Sequence, residues 1–136
     1  MEKIILNRKD HSRINTWIGN AKQQKTISVI EAESLKKELQ SAILVEPQDV
    51  PHDVVTMNSI VLISFIETKK QLSFQLVYPD QANVKENKIS ILSPIATALL
   101  GYKIGSIIEW LVPAGLTKIR IDNILYQPEA AGDYNS

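Results

Sequence analysis

The first part of the chain alternates apolar and polar residues at helical spacing. Over residues 8–22, apolar positions recur at intervals of three and four, which predicts an amphipathic helix with a single apolar stripe. Asn7 stands at the N-cap, and Asp10 occupies the third helical position in a pairing close to a capping box. The stripe consists of Ile14, Trp17, Ile18 and Ala21.

A second amphipathic helix is predicted to follow after a short connection. Ser28 and Glu31 form a capping box, and apolar residues then continue at spacings of three and four as far as Ile43. Two amphipathic helices joined by a few residues form an antiparallel hairpin. Each helix would be roughly 22 Å long at 1.5 Å per residue.

The apolar period changes from helical to two after a segment that contains Pro47 and Pro51, so residues 47–53 are interpreted as a linker. Ser59–Ile66 is almost wholly apolar, as in a central strand that is covered on both faces. The polar tail, 127–136, is expected to be only partly ordered. The other predicted strands are Leu72–Tyr78, Ile89–Ile91, Ile108–Val112 and Ile119–Tyr126.

A short helix is predicted between the strands Ile89–Ile91 and Ile108–Val112. Ser93 is a favourable N-cap, Pro94 fits the first helical position, and Gly101 suits the left-handed residue that ends a helix. Ile95, Leu99 and Ala98 fall on one face, which indicates a helix held against a sheet. The fold class is therefore α+β, with a helical hairpin at 1–46, a linker at 47–53 and a second domain at 54–136.

Composition excludes several classes of function. The 136 residues carry 15 basic and 15 acidic side chains, so no overall field attracts nucleic acid or an anionic membrane. The absence of cysteine excludes disulfides and thiolate-ligated metals. The apolar run at Ile4–Leu6 is too short for a signal peptide. We expect a cytoplasmic monomer that has no membrane span and binds no specific nucleic-acid sequence.

Residues with possible chemistry do not form a recognisable site. His11 and His52 lie at a helix start and in the linker, without the carboxylate spacing of a metal site. His52 and Asp53 could form a base with its orienting acid, but such residues more often cap local backbone groups. The glycines at 101 and 105 match no phosphate-binding motif. We predict no catalytic residues, no metal and no cofactor.

Three motifs resemble the Gre family of bacterial transcription factors: PHDVVTMNS at 51–59, SPIATALLG at 93–101 and YQPEAAGDY at 126–134. The resemblance extends over nearly the whole chain, and the family includes members named for an effect on nucleoside diphosphate kinase. It implies that the N-terminal hairpin is a coiled coil. It also implies an FKBP-like C-terminal domain, in which a bent antiparallel sheet surrounds one short helix.

The resemblance also implies a partner. Gre-type C-terminal domains dock on RNA polymerase at the rim of its secondary channel, and Leu92, Ser93 and Pro94 match the docking position. Family members that stimulate transcript cleavage carry acidic residues at the hairpin tip, which help to hold a catalytic magnesium ion. The corresponding tip, residues 19–25, contains no acid. The protein is expected to bind polymerase without stimulating cleavage, and to compete with longer Gre factors.

Two other classes of function remain as alternatives. A peptidyl-prolyl isomerase shares the implied FKBP-like fold, but it needs a concave pocket lined with several aromatic side chains. Phe74, Tyr78 and Trp110 are better explained as sheet core. The third class is a regulator that acts directly on nucleoside diphosphate kinase, for which the sequence identifies no surface.

Overall fold

In the computed structural model, the described residues are 4–24, 36–112 and 115–133, and they form a mixed α and β structure. The helices are α1 (Arg8–Gln24), α2 (residues 36–41) and α3 (Pro94–Leu99). The strands are β1 (Ile5–Asn7), β2 (Ile43–Val45), β3 (Ile60–Phe65), β4 (Gln71–Val77), β5 (Lys88–Ser90), β6 (Ile107–Val112) and β7 (Gly115–Tyr126).

Strands β3 to β7 form one five-stranded sheet in the order β5-β4-β3-β7-β6, so β3 is central as predicted. The sheet is not wholly antiparallel, which corrects the expectation, because β4 and β5 pair in parallel from Gln75 opposite Lys88. The ten residues between them carry the chain back and include two 3₁₀ turns, Pro79–Gln81 and Val84–Glu86. Two register shifts on β3 mark bulges against β7, and bulges of this kind bend a sheet. The FKBP-like detail stays a prediction.

One apolar core joins the sheet to α3 and to the N-terminal elements. Val61 and Ile63 of β3 and Ile119 and Ile121 of β7 are fully buried, as period-two patterning requires. Each such side chain contributes about 1.5–3 kcal/mol through removal of apolar surface from water. The same cluster includes residues of the first 40 positions: Ile4, Leu6, Ile14, Ile18 and Leu39. The division into domains at 46 and 54 stays a prediction.

Helix α1 confirms the first predicted helix, and its apolar stripe packs as expected, with Ile14 and Ile18 fully buried. The second helix is described only over 36–41, and the predicted hairpin turn lies outside the described residues. The predicted helical stripe through Ile43 is wrong, because Ile43–Val45 forms β2 and pairs in parallel with β1. A short aliphatic run fits either structure, and only the position of β1 decides between them.

The predicted start and end signals of α3 are mostly confirmed. Pro94 occupies the first turn, and Gly101 has a φ of 83°. A Cβ at Gly101 would lie 2.5 Å from the Cβ of Ile4, so this position requires glycine for space as well as for conformation. Ser93 stands at the N-cap, but its hydroxyl makes no capping hydrogen bond. The fully buried alanine is Ala96 rather than the predicted Ala98, which is half-buried.

The C-terminal segment contradicts the prediction of a polar, loosely ordered tail over its described part. Gln127, Pro128 and Glu129 are buried, and the chain turns back on itself from Gln127 to Asp133. Polar composition is typical of exposed tails because buried polar groups need hydrogen-bond partners. These residues have such partners on distant segments, which composition cannot reveal.

Candidate functional site

The loop between β5 and α3 holds the three residues that the sequence analysis placed at a partner contact. Leu92 and Ser93 are half-buried, and Leu92 packs against the edge of the apolar core. Pro94 begins α3. The three residues therefore lie together at the N-terminal end of α3, where the Leu92 side chain is partly open to solvent.

Hydrogen bonds to Ser90 fix the shape of this loop. The Ser93 hydroxyl donates to the Ser90 carbonyl at 2.8 Å, and the Leu92 N–H donates to the Ser90 hydroxyl at 3.1 Å. The Thr97 hydroxyl donates to the Ile91 carbonyl at 2.7 Å, which joins the loop to α3. A loop held in this way presents a fixed apolar contact, because little entropy remains to be lost on binding.

A second polar cluster, which we call the junction, lies where α1, the turn before β3 and the C-terminal segment meet. It consists of Asn7, Asp10, Thr56, Ser59, Tyr78 and Glu129, all of which are buried. Asn7 caps α1, because its Oδ1 accepts the Asp10 N–H at 2.7 Å. Its Nδ2 donates to Asp10 Oδ2 at 3.2 Å and to Glu129 Oε2 at 3.1 Å. One amide group therefore connects two buried carboxylates.

Asp10 contacts three parts of the chain. Besides Asn7, its carboxylate accepts the Met57 N–H at 3.2 Å and the Tyr78 hydroxyl at 3.1 Å. In a full capping box the third-position side chain would return to the N-cap backbone N–H. Here it instead fastens the start of α1 to the turn before β3 and to the end of β4.

Glu129 fixes the C-terminal segment to the same turn. Thr56 Oγ1 donates to Glu129 Oε1 at 2.7 Å. Because that hydroxyl hydrogen is used, the 2.9 Å contact between Thr56 Oγ1 and Ser59 Oγ has Ser59 as its donor. The Gln127 amide donates to the carbonyl groups of Pro51 and Val54, at 2.9 Å and 2.6 Å. The first and third sequence motifs therefore form one hydrogen-bonded unit.

The junction changes the acidity of its members. Burial, and then the Glu129 carboxylate, raise the pKa of Asp10 from 3.8 to about 7, against the opposing effect of its hydrogen bonds and of Arg13. Burial and the nearby Asp10 carboxylate also raise the pKa of the Tyr78 hydroxyl, which therefore remains a donor. The Arg13 guanidinium lies 5.9 Å from the centroid of the Tyr78 ring.

The junction is a structural site, because its polar groups satisfy one another and little space remains beside them. The cavity next to Asn7, Asp10 and Glu129 has a volume of about 10 Å³, which is close to that of one water. Within the described residues, no three His, Asp or Glu side chains are grouped so as to hold a metal ion. No helix of the described part of the chain has the length and apolarity needed to cross a membrane.

The histidines are not brought together. His11 Nε2 donates to the Leu39 carbonyl at 3.2 Å, and its Nδ1 lies 3.4 Å from the Asn15 amide, so it links α1 to α2. His52 is exposed in the turn after Pro51. Phe74 and Tyr78 are buried in the core as predicted, whereas the Trp110 side chain lies outside the described part of the structure.

Sequence reasoning missed the junction. Asn7 and Asp10 were interpreted as a local cap only, and Glu129 was placed in a loose tail. The available signal was the density of polar residues in the first and third motifs, at positions flanked by apolar residues. Period-based analysis assigns such residues to turns, and it does not pair two turns that are more than 70 residues apart.

Comparison with known proteins gives the family. The model of the GreA/GreB transcription elongation factor C-terminal domain matches residues 50–126. A protein of Escherichia coli K12 named "Regulator of nucleoside diphosphate kinase" is 36% identical over 132 residues, which cover 96% of this chain and 95% of that protein. A transcription elongation factor GreA of Alkaliphilus oremlandii is 31% identical over 79% of this chain and 67% of its own length.

A solved structure agrees with these relatives. The prokaryotic transcription elongation factor GreA/GreB from Nitrosomonas europaea superposes with a TM-score of 0.74 at 34% identity, covering 93% of this chain and all of that one. These matched proteins are named as regulators and elongation factors, which agrees with the expectation that the chain is not an enzyme. The chain belongs to the GreA/GreB family of transcription elongation factors.

Proposed function

We propose that the protein is a transcription regulator that binds RNA polymerase as a monomer, at the rim of the secondary channel, through the loop Leu92–Pro94. The observation that carries this proposal is the family match over residues 50–126, which includes that loop. The GreA relatives are named as transcription elongation factors, and polymerase is the partner that such factors imply.

The form of the loop supports a protein contact. Leu92 is half-buried beside the core, and Ile95 on the first turn of α3 is also half-buried, so the loop and helix end offer partly open apolar side chains. The hydrogen bonds to Ser90 hold the loop in one shape. A small preorganised apolar contact of this kind is typical of an anchor at the centre of an interface.

We further propose that the bound protein does not stimulate transcript cleavage. Residues 19–25, where the first helix ends, contain no acidic side chain that could hold a divalent cation. Helix α1 has 17 residues and is therefore about 26 Å long. A short hairpin whose tip carries no acidic residue fits a factor that occupies the rim and competes with longer Gre factors.

The first experiment measures binding of the full chain to core RNA polymerase, with Leu92→Glu beside the wild type. A charge at the anchor must be desolvated on docking, and we expect an affinity loss of at least about tenfold. Val84→Glu is the matched control, because Val84 is 78% exposed on the preceding loop and a charge there remains in water. Circular dichroism checks that both variants fold.

The outcomes separate the parts of the proposal. Equal binding by wild type and Leu92→Glu contradicts docking through this loop, and no binding by wild type at micromolar concentration contradicts polymerase as the partner. Stalled elongation complexes that bind this protein are expected to show no additional transcript cleavage. When a longer Gre factor is added as well, its cleavage activity is expected to be reduced. Cleavage stimulated by this protein alone would contradict the second proposal.

A second candidate is direct regulation of nucleoside diphosphate kinase, which the name of the Escherichia coli relative favours. An effect on transcription would account for the same name. Co-purification of the chain with purified kinase, in the absence of polymerase, distinguishes direct regulation from an effect through transcription. A stable complex under those conditions supports direct regulation, and its absence supports the indirect route.

A further inference from the structure

The outer face of the sheet carries a cleft that neither the loop before α3 nor the junction uses. Its volume is about 370 Å³, within the range of small-molecule sites. It lies at the β3–β4 hairpin, where Gln71, Ser64 and Arg120 are aligned across three neighbouring strands. The lining residues are Ser64, Phe65, Ile66, Lys69, Gln71 and Arg120.

One carboxylate orients the polar side of the cleft. Asp122, whose side chain is 13% exposed, accepts Arg120 Nε at 2.8 Å. It also accepts the Ser64 hydroxyl at 3.1 Å and the Gln71 amide at 3.2 Å. The Arg120 guanidinium is thus held through Nε, and its terminal nitrogens are left for an anion such as a phosphate. The Arg120 side chain is 54% exposed, so an anion can reach it.

Lys69 supplies a second cation at the rim. Its φ is 60°, in the left-handed region that glycine or asparagine occupies more easily, and its N–H donates to the Phe65 carbonyl at 2.7 Å. A lysine at this position costs backbone energy that a glycine would avoid, which points to use of the side chain. Among the described residues, no carboxylate forms an ion pair with Lys69, Lys70 or Lys118.

The remaining wall of the cleft is apolar and rigid. Ile66 is 37% exposed, and its N–H donates to the Lys118 carbonyl at 3.0 Å, which fixes the hairpin to β7. A ligand here meets cations on one side and an aliphatic surface on the other. A phosphate joined to a flat, weakly polar group would match the cationic side and the apolar side of the cleft. Nucleotides and RNA are ligands of this kind, and both surround a transcription factor.

We propose that this cleft binds a nucleoside phosphate, either as a free nucleotide or within single-stranded RNA, with Arg120 and Lys69 contacting the phosphate. Binding does not depend on base sequence, because the Ser64 hydroxyl and the Gln71 amide, which line the cleft, already donate to Asp122. The site is open to solvent, so affinity is modest and falls as salt screens the two cations. The proposal is independent of docking through Leu92.

The experiment titrates the full chain with AMP, with ADP and with a ten-nucleotide oligouridylate, followed by the amide NMR shifts of residues 64–71 and 118–122. Arg120→Gln and Lys69→Gln each remove one cation, and each is expected to weaken binding about tenfold. Lys85→Gln is the matched control, because it removes the same charge from an exposed turn outside the cleft. Thermal melting checks that all three variants fold.

Saturable shifts in these two segments that weaken in both cleft variants, but not in Lys85→Gln, support the proposal. Shifts with oligouridylate alone assign the site to RNA, and shifts with AMP or ADP assign it also to free nucleotides. The proposal is overturned if none of the three probes gives saturable shifts at concentrations up to millimolar in 50 mM salt. Equal weakening in the Lys85→Gln control also overturns it, because nonspecific charge attraction would then explain the binding.

Discussion

Asp10 in the junction and Asp122 beside the outer cleft each accept three hydrogen bonds, and the fold shifts their pKa values in opposite directions. The pKa of Asp10 rises to about 7. Partial burial acts to raise the pKa of Asp122 as well, but hydrogen bonds from Arg120, Ser64 and Gln71 outweigh it and hold the pKa below 3.8.

The two carboxylates differ in the charge of their neighbours and in their exposure to solvent, and not in the number of hydrogen-bond donors. The donors to Asp10 are neutral, the carboxyl is almost fully buried, and the Glu129 carboxylate lies close by. One donor to Asp122 is a guanidinium, and the carboxylate stays partly open to water. At Asp10 the hydrogen bonds therefore do not compensate for burial beside a like charge, whereas at Asp122 the hydrogen bonds from Arg120, Ser64 and Gln71 outweigh the effect of burial.

The largest expected effect is a fall in stability as pH rises through the range of the Asp10 shift. The Asp10 pKa is about 7 in the folded chain against 3.8 ordinarily, so only the unfolded chain releases this proton between those values. The contribution is complete below pH 4 and is lost by about pH 7, up to about 4 kcal/mol in total. Urea unfolding at pH 5 and pH 8 measures the part that is lost above pH 5, which is about 2–3 kcal/mol.

Asp10→Asn is expected to remove most of this pH dependence. The amide carries no charge, its oxygen can accept the Met57 N–H, and the Tyr78 hydroxyl can accept as well as donate. The variant should be more stable than wild type at pH 8. An unchanged slope of stability against pH would show that another group carries the proton, and Asp122→Asn provides the comparison at a carboxylate whose pKa is lowered.

Asn7→Ala is expected to destabilise the fold by about 2–3 kcal/mol at pH 8. The substitution removes the cap of α1 and the amide that lies between two buried carboxylates. Asn15→Ala removes an amide of the same size from the half-buried middle of α1 and should cost less. Equal losses in chemical denaturation would argue that the amide has no special place in the junction.

Tyr78→Phe tests the neutral donor to Asp10. The hydroxyl donates to Asp10 Oδ1, and a bond to a charged acceptor contributes more than one to a neutral acceptor. We expect a loss of about 2 kcal/mol at pH 8 and about 1 kcal/mol at pH 5, with the same urea assay. A loss that is greater at pH 5 would reverse the interpretation of Asp10 as the titrating group.

The smallest effect is expected for Asp122→Asn. Its pair with Arg120 lies at the surface, where an ion pair contributes less than about 1 kcal/mol. Because the pKa of Asp122 is lowered, its contribution is present above pH 4 and is lost as pH falls below that value. Melting temperatures at pH 7 and pH 3 measure the loss, and a large destabilisation at pH 7 would remove the contrast with Asp10.

Much of the fold could be predicted from local pattern. The period of apolar residues located α1, β3, β4, α3 and the last strand, because burial of one face imposes that period on the sequence. Gly101 was assigned correctly for a similar reason, since a left-handed helix end favours glycine wherever it occurs. These patterns involve residues close together in the chain, although the distant Ile4 also limits the space at Gly101.

Prediction from the apolar pattern failed where pairing with a distant strand decided the secondary structure. Ile43–Val45 has the composition of a helix end or of a strand, and β1 decided for the strand by pairing with it. The parallel pairing of β4 with β5 likewise depends on the path of the intervening turns. A short apolar run carries too little information to specify which backbone will complete its hydrogen bonds.

The sequence by itself determined α1, α3, the central strands of the sheet and the family, and it supplied the prediction for the loop at 92–94. Only the tertiary structure decided the junction and the cleft. Asn7, Thr56 and Glu129 each look like ordinary turn or tail residues, and they become a buried network because three segments meet around them. The burial of Asp10 and its closeness to the Glu129 carboxylate arise only where these three segments pack together. The pKa of Asp10 therefore could not be predicted from the residues beside it in the chain.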